Sequence, residues 1–241
     1  MSDKDLGEKT EECLEILFRL EKNNKRVKTT ELAEKLGFPP SSMTVLLQRL
    51  ANMGLVNYEP YKGVKLTDKG RKVAIKIIRR HRLSERFLTD ILGLDWCEVH
   101  EHACKLEHAI TDKIEEKLDE KLGGPTVCPH GNPIPTPSGK IIFEEDVPLS
   151  ELQPTDEAII TRIIDENPTL LRRLIAIGIL PGVKITVKEK SPLGGALVLK
   201  IGDYEVAVGC DVASKICVKT STPPHRYRHR VRRRAKKHSK I

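Results

Sequence analysis

Between positions 123 and 154 the chain carries seven prolines, at 125, 129, 133, 135, 137, 148 and 154. Proline lacks a backbone N–H and clashes with the preceding turn, so neither a helix interior nor a central strand tolerates that density. The stretch therefore reads as a linker or an ordered, turn-rich loop, and it marks a domain boundary within the 241 residues. Ahead of it apolar residues recur at helical spacing; behind it they fall into short strand-like runs.

In the first part, Leu14, Ile16, Leu17, Phe18 and Leu20 predict an amphipathic helix over 10–21, with Glu11, Glu12 and Cys13 in its first turn. Thr29 and Thr30 cap a short helix that Gly37 stops. Val45, Leu46, Leu47, Leu50 and Met53 predict another over 43–53, ended by Gly54. Two short helices about a glycine-containing turn form a helix-turn-helix, whose second member enters the major groove by its N-terminal residues. Residues 55–67 read as strand, turn and strand with the turn near Lys62-Gly63, which completes a winged helix. Ser41, Ser42 and Thr44 are candidate base or phosphate contacts, with Gln48, Arg49 and Lys62 adding backbone and wing contacts. A long helix over 69–92 follows, carrying His81 and Glu85 one turn apart, where they can meet one object or simply pair.

Residues 100–108 read His-Glu-His-Ala-Cys-Lys-Leu-Glu-His. On a helix turning about 100° per residue, His100, Cys104, Glu107 and His108 fall within roughly 100° of one another. Two imidazoles, a thiol and a carboxylate on one face offer donors to a divalent first-row metal, whereas a plain polar face would not usually hold a cysteine at its middle. This helix is expected to run on to 122, with Ile110, Ile114 and Leu118 forming an apolar stripe of the kind that seals a dimer. Within the proline-rich stretch, Cys128-Pro-His130 is a further pair of donors of unspecific spacing.

After the prolines come a short helix over 170–177 and strand-like runs at 181–189, 196–201, 204–208 and 215–219, with Gly202-Asp203 as a hairpin signal. Such strands can close a small SH3-like barrel. The net charge of +8 comes from the end of the chain: residues 222–241 hold nine Lys or Arg and no Asp or Glu, leaving 33 basic against 34 acidic residues elsewhere. That tail reads as a disordered arm drawn to phosphate. The six cysteines are scattered without a C-x-x-C pair, and no apolar run reaches the ~18 residues of a membrane span. Reduced thiols and a cytoplasmic protein without membrane partners are the expectation.

Three stretches carry a resemblance: Arg80-His-Arg-Leu-Ser-Glu-Arg-Phe-Leu-Thr-Asp-Ile-Leu-Gly-Leu-Asp95, Val99-His-Glu-His-Ala-Cys-Lys-Leu-Glu-His108, and Pro129-His-Gly-Asn-Pro-Ile-Pro135. Over residues 6–220 the chain resembles the diphtheria-toxin-repressor or iron-dependent-repressor family. The resemblance implies a mainly α protein with a small β module. Its parts would be a winged-helix DNA-binding domain at 1–73, a helical metal-binding and dimerisation domain at 74–146 and an SH3-like domain at 155–220. The basic tail at 221–241 lies outside it.

It also implies a homodimer that binds double-stranded operator DNA when loaded with metal, catalyses nothing and takes no small organic substrate. By position, the regulatory site would be Glu12, Cys104, Glu107 and His108. A second site would take His81, Glu85, His100 and Glu166. Cys104 sides with iron-type members, so Fe2+ is the expected ion. Mn2+ is the alternative, with Zn2+, Co2+ or Ni2+ as substitutes in vitro. Two rival readings make different demands. A metal-independent winged-helix regulator sensing a small molecule would ignore chelators. A metallohydrolase would need a signature such as H-E-x-x-H and would leave the helix-turn-helix unexplained.

Overall fold

The structure, a computed structural model, describes residues 7–21, 25–192 and 195–220. The basic tail falls outside the described residues. The chain forms two compact units. The first comprises Met1–Leu92, Glu101–Thr126 and Ile134–Ile141; the second comprises Gly93–His100, Val127–Pro133 and Ile142–Ile241.

The first unit opens with α1 (Glu8–Leu20), α2 (Thr29–Leu36) and α3 (Pro40–Asn52). Helix α2 lacks the expected threonine cap: Thr29 and Thr30 lie inside it, and Lys28, which cannot accept a hydrogen bond through its side chain, holds the cap position. Helix α3 begins three residues before the predicted start, because Pro40 sits at a first-turn position where its fixed φ suits the helix and its missing N–H costs nothing. The wing follows as β1 (Val56–Glu59) and β2 (Gly63–Leu66), paired antiparallel with Glu59 opposite Gly63. Gly63 has φ +100°, and a Cβ there would lie 2.3 Å from the Val27 carbonyl oxygen, so the bridge between Val27 and Val64 requires glycine. Leu14, Leu17, Leu32, Met43, Leu47, Leu50, Leu55 and Val64 make the buried core of this region.

Helix α4 (Asp68–Asp90) starts at Thr67, whose hydroxyl accepts the Gly70 N–H at 3.0 Å and donates to the Gly54 carbonyl at 2.7 Å. The sequence predicted one helix from 100 to 122; the structure breaks it. Helix α5 (Val99–Leu106) gives way to a 3₁₀ turn (Glu107–Ala109), Ile110 is extended, and α6 (Asp112–Lys121) begins afresh. Thr111 caps α6 by accepting the Ile114 N–H at 3.4 Å, and Asp112 and Glu115 favour its N-terminus. The apolar stripe is divided accordingly: Ile110 is buried, whereas Ile114 is 46% exposed.

Charge rather than apolar packing ties α6 to α4. The buried Arg79 reaches Glu115 at 2.8 Å, Asp119 at 2.9 Å and the Pro135 carbonyl at 2.5 Å. Arg80 adds Glu115 at 3.1 Å and Asp112 at 2.5 Å. Asp112 also meets Lys76 at 2.7 Å, and this contact, with Arg80, holds its carboxyl below the usual range.

The second unit is a six-stranded antiparallel sheet. Its strands are β3 (Val147–Pro148), β4 (Glu157–Ile163), β5 (Lys184–Lys190), β6 (Ala196–Ile201), β7 (Tyr204–Gly209) and β8 (Ile216–Thr220), in the order β3-β8-β4-β5-β6-β7. Gly202 and Asp203 turn the β6–β7 hairpin, with Ile201 opposite Tyr204. Between β4 and β5, α7 (Pro168–Ala176) is capped by Asn167, and α8 (Cys210–Ala213) precedes β8. Leu149, Leu152, Ile160, Leu171, Leu174, Val187, Leu199 and Val218 are among its fully buried core. This SH3-like sheet module matches the expected β part, and no described helix is long and apolar enough to cross a membrane.

Candidate metal centre

Four segments of the first unit bring ionisable groups together. Helix α4 supplies His81 and Glu85, both fully buried; α5 supplies Cys104; the 3₁₀ turn supplies Glu107 and His108; α1 supplies Glu11 and Glu15. Imidazoles and carboxylates alternate in a chain. Glu85 Oε1 lies 3.2 Å from His81 Nε2, and His81 Nδ1 lies 2.5 Å from Glu107 Oε2. Glu107 Oε1 stands 3.4 Å from His108 Nε2, and His108 Nδ1 lies 2.6 Å from Glu11 Oε2. The Cys104 sulfur and a His81 ring nitrogen lie within 4.8 Å of each other.

Both nitrogens of each imidazole face carboxylate oxygens, an arrangement that favours the doubly protonated cation. Burial opposes charge on His81, yet the Glu85 carboxylate and the bonds to Cys104, Glu107 and Glu85 push its pKa well above the ordinary value. His108 is raised by its hydrogen bond to Glu11 against a burial penalty, with help from the Glu107, Glu11 and Glu8 charges. Burial raises the Glu107 carboxyl, and Glu15 adds to this against the hydrogen bond from His81.

His81 and Glu107, assigned to different sites by the resemblance, are in direct contact. The first-helix carboxylate at His108 is Glu11, whereas Glu12 is exposed. The reason is phase: on α1, Glu8, Glu11 and Glu15 are spaced three and four apart and share a face. That spacing was legible in the sequence, and Glu15, 6% exposed and paired with Arg19 at 2.6 Å, is a residue the reading missed. Cys13, beside Glu12 in sequence, belongs to the core, and burial with the Glu12 charge pushes its thiol up to about 12.

These residues fit a divalent cation. Buried carboxylates need compensating positive charge, and Glu85, Glu107 and Glu15 bring three to one region, with a thiol and two imidazoles as further donors. In the second unit His100 Nδ1 lies 2.8 Å from Glu166 Oε2, so these two members of the expected second set meet there. Asn132 steadies the same carboxylate, donating to Glu166 Oε1 at 2.7 Å and to the Ile163 carbonyl at 2.9 Å.

On α3 the expected DNA contacts share a solvent face: Ser41, Ser42, Gln48 and Arg49 are exposed, and Thr44 is half-buried with its hydroxyl on the Pro40 carbonyl at 3.0 Å. Val45, one of the apolar residues whose spacing predicted this helix, is 66% exposed at their centre. At the wing Lys62 is exposed and pairs with Glu59 at 3.0 Å, beside the fully exposed Tyr61.

Comparison with known proteins agrees in order along the chain. Residues 5–64 match the iron dependent repressor N-terminal DNA binding domain, 67–136 its metal binding and dimerisation domain, and 147–220 the FeoA domain. The iron-dependent repressor IdeR of Mycobacterium leprae is 31% identical over 227 residues, covering 89% of this chain and 98% of that protein. The chain belongs to the iron-dependent repressor family. The diphtheria toxin repressor of Corynebacterium efficiens is 35% identical over 171 residues, 69% of this chain and 74% of that one. Among solved structures, a manganese-dependent transcriptional repressor in complex with manganese superposes with TM-score 0.82 at 33% identity, covering 88% of this chain and 99% of that one.

Proposed function

We propose that this family member is an Fe(II)-activated transcriptional repressor that binds double-stranded operator DNA as a homodimer and controls metal-ion homeostasis. The observation that carries the reading is the contact between His108 and Glu11, which joins the 3₁₀ turn to the first helix of the winged-helix region. Cys104, Glu107 and His108 would hold the ion together with an α1 carboxylate: Glu11 by its position, or Glu12 by the resemblance. A divalent cation held there would supply the positive charge that two imidazolium groups otherwise provide.

The chain's own residues do the rest. Leu14 and Leu17 fix α1 in one core with Met43, Leu47 and Leu50 of α3, so whatever fixes α1 also fixes the reading helix. A two-fold dimer must present those helices about one DNA turn, ~34 Å, apart or at a multiple of it. Ser41, Ser42, Thr44, Gln48 and Arg49 then face the groove, and Lys62 faces the backbone. A ligand that favours this arrangement shifts the population towards it by its differential affinity alone.

The Cys104 thiolate favours Fe(II) over Mn(II). Manganese is the second reading, because Glu11, Glu15 and Glu107 supply hard oxygen donors. The second set, His81, Glu85, His100 and Glu166, rests on the resemblance. Operator binding titrated with Fe(II), Mn(II) and Zn(II) under anaerobic conditions tests the scheme. Glu107→Ala is expected to abolish metal-dependent binding and leave a folded dimer. Glu11→Gln is expected to weaken it more than Glu12→Gln. Operator affinity indifferent to metal in the unaltered protein would refute the reading.

A further inference from the structure

We infer that Tyr61, at the tip of the wing, is an uncharged DNA contact. Its hydroxyl donates to a phosphate oxygen and its ring packs on the neighbouring deoxyribose, along the minor groove beside the major groove that α3 enters. The inference rests on the DNA-binding reading above and adds a contact of another chemical kind, since Lys62 at the same tip acts through its charge.

Tyr61 holds a backbone conformation that its side chain does not favour. Pro60 and Tyr61 are the central residues of a turn closed by the Lys62 N–H on the Glu59 carbonyl at 3.1 Å, and Tyr61 has φ +65°. A positive φ at the third residue is the type II requirement, which glycine meets without steric cost and asparagine tolerates. Nothing within the protein repays the strain. The Tyr61 side chain is fully exposed, and its hydroxyl has no partner among the described residues. A turn that merely joined two strands would be better served by glycine at 61. Strain of this kind persists where the surroundings over-determine it, and it gathers at functional sites.

The wing fixes where the ring stands. The Val27 N–H donates to the Val64 carbonyl at 2.8 Å and the Val64 N–H to the Val27 carbonyl at 2.9 Å. Arg26 donates to the Asn57 carbonyl at 2.8 Å and to the Gly63 carbonyl at 3.3 Å, so both strands are pinned. Arg26 and Lys62 both pair with Glu59 and thus already share an anion. Val56 and Val64 of the wing lie in the same buried core as Leu47 and Leu50 of α3, so seating α3 in its groove also places the tip. A tyrosine held there offers an apolar ring face to a sugar and one O–H to a phosphate.

The probe is a duplex selected from a random pool by the unaltered, Mn(II)-loaded protein, and full-length variants are compared with that protein on the same duplex at the same metal concentration. Metal dependence is read separately, so a failure of the metal-activated reading leaves this result standing. Glycine suits the turn, so Tyr61→Gly is expected to stay folded. It is nevertheless expected to bind the duplex about 10–100-fold more weakly, since each half of the dimer loses a hydrogen bond to a charged group. No cation is removed, so the slope of log affinity against log salt is expected to stay the same. Tyr61→Phe, which keeps the ring, is expected to lose less. Hydroxyl-radical footprinting, which reads the exposure of minor-groove sugars, is expected to show one patch of protection per half-site that Tyr61→Gly lacks while protection elsewhere remains. Unchanged affinity and footprint in Tyr61→Gly overturn the inference, and so does a loss accompanied by a flatter salt slope, which would assign the effect to Lys62.

Discussion

Glu107 holds its place through two neighbours of the same kind, His81 on one oxygen and His108 near the other. The pH behaviour of the metal-free protein follows from them. The folded-state pKa of His108 lies above its ordinary 6.5. Its stabilising contribution is therefore complete below pH 6.5 and is lost as pH rises through the raised value. Glu107, also raised, acts in the same direction: its protonated form suits the fold, and ionisation at higher pH works against it. Unfolding of the metal-free protein is expected to become easier as pH climbs from 6 to 8, and Glu11→Gln to flatten that dependence. A stability that rises over the same interval would contradict the assignment. Metal competes with these protons, so metal affinity is expected to rise with pH.

Among the elements, α6 depends on ion pairs to a degree its sequence does not announce, since none of its residues is buried. Arg79, with 6% of its side chain exposed, serves Glu115, Asp119 and the Pro135 carbonyl at once. Its loss would take the cation from Asp119 and leave Glu115 to Arg80 alone. Arg79→Ala is expected to destabilise the protein by about 3–5 kcal/mol in urea unfolding; a change below ~1 kcal/mol would place these pairs with ordinary surface bridges. The break between α5 and α6 has a local cause that could have been read: Thr111-Asp112 is a capping start, and it competes with a continuous helix. The helical spacing of Ile110, Ile114 and Leu118 outweighed that signal in the sequence reading.

For the molecule as a whole, charge is concentrated in the tail. Should about five of its nine cations meet phosphate, deleting residues 222–241 is expected to flatten the dependence of log affinity on log salt by ~4–5 units in operator-binding titrations. An unchanged slope would make the arm idle. The winged helix, the break at the prolines, the β6–β7 hairpin and the candidate donors were all legible in the sequence. Each depends on spacing, turn chemistry or composition within one stretch of chain. Which donors meet was a matter for the tertiary structure. Glu11 rather than Glu12 reaches His108, and Glu107 reaches His81, because the 3₁₀ turn re-aims Glu107 and His108 and α1 presents one particular face. Periodicity places a residue on a face of its own element, but the neighbour opposite that face is set by packing between segments distant in the chain.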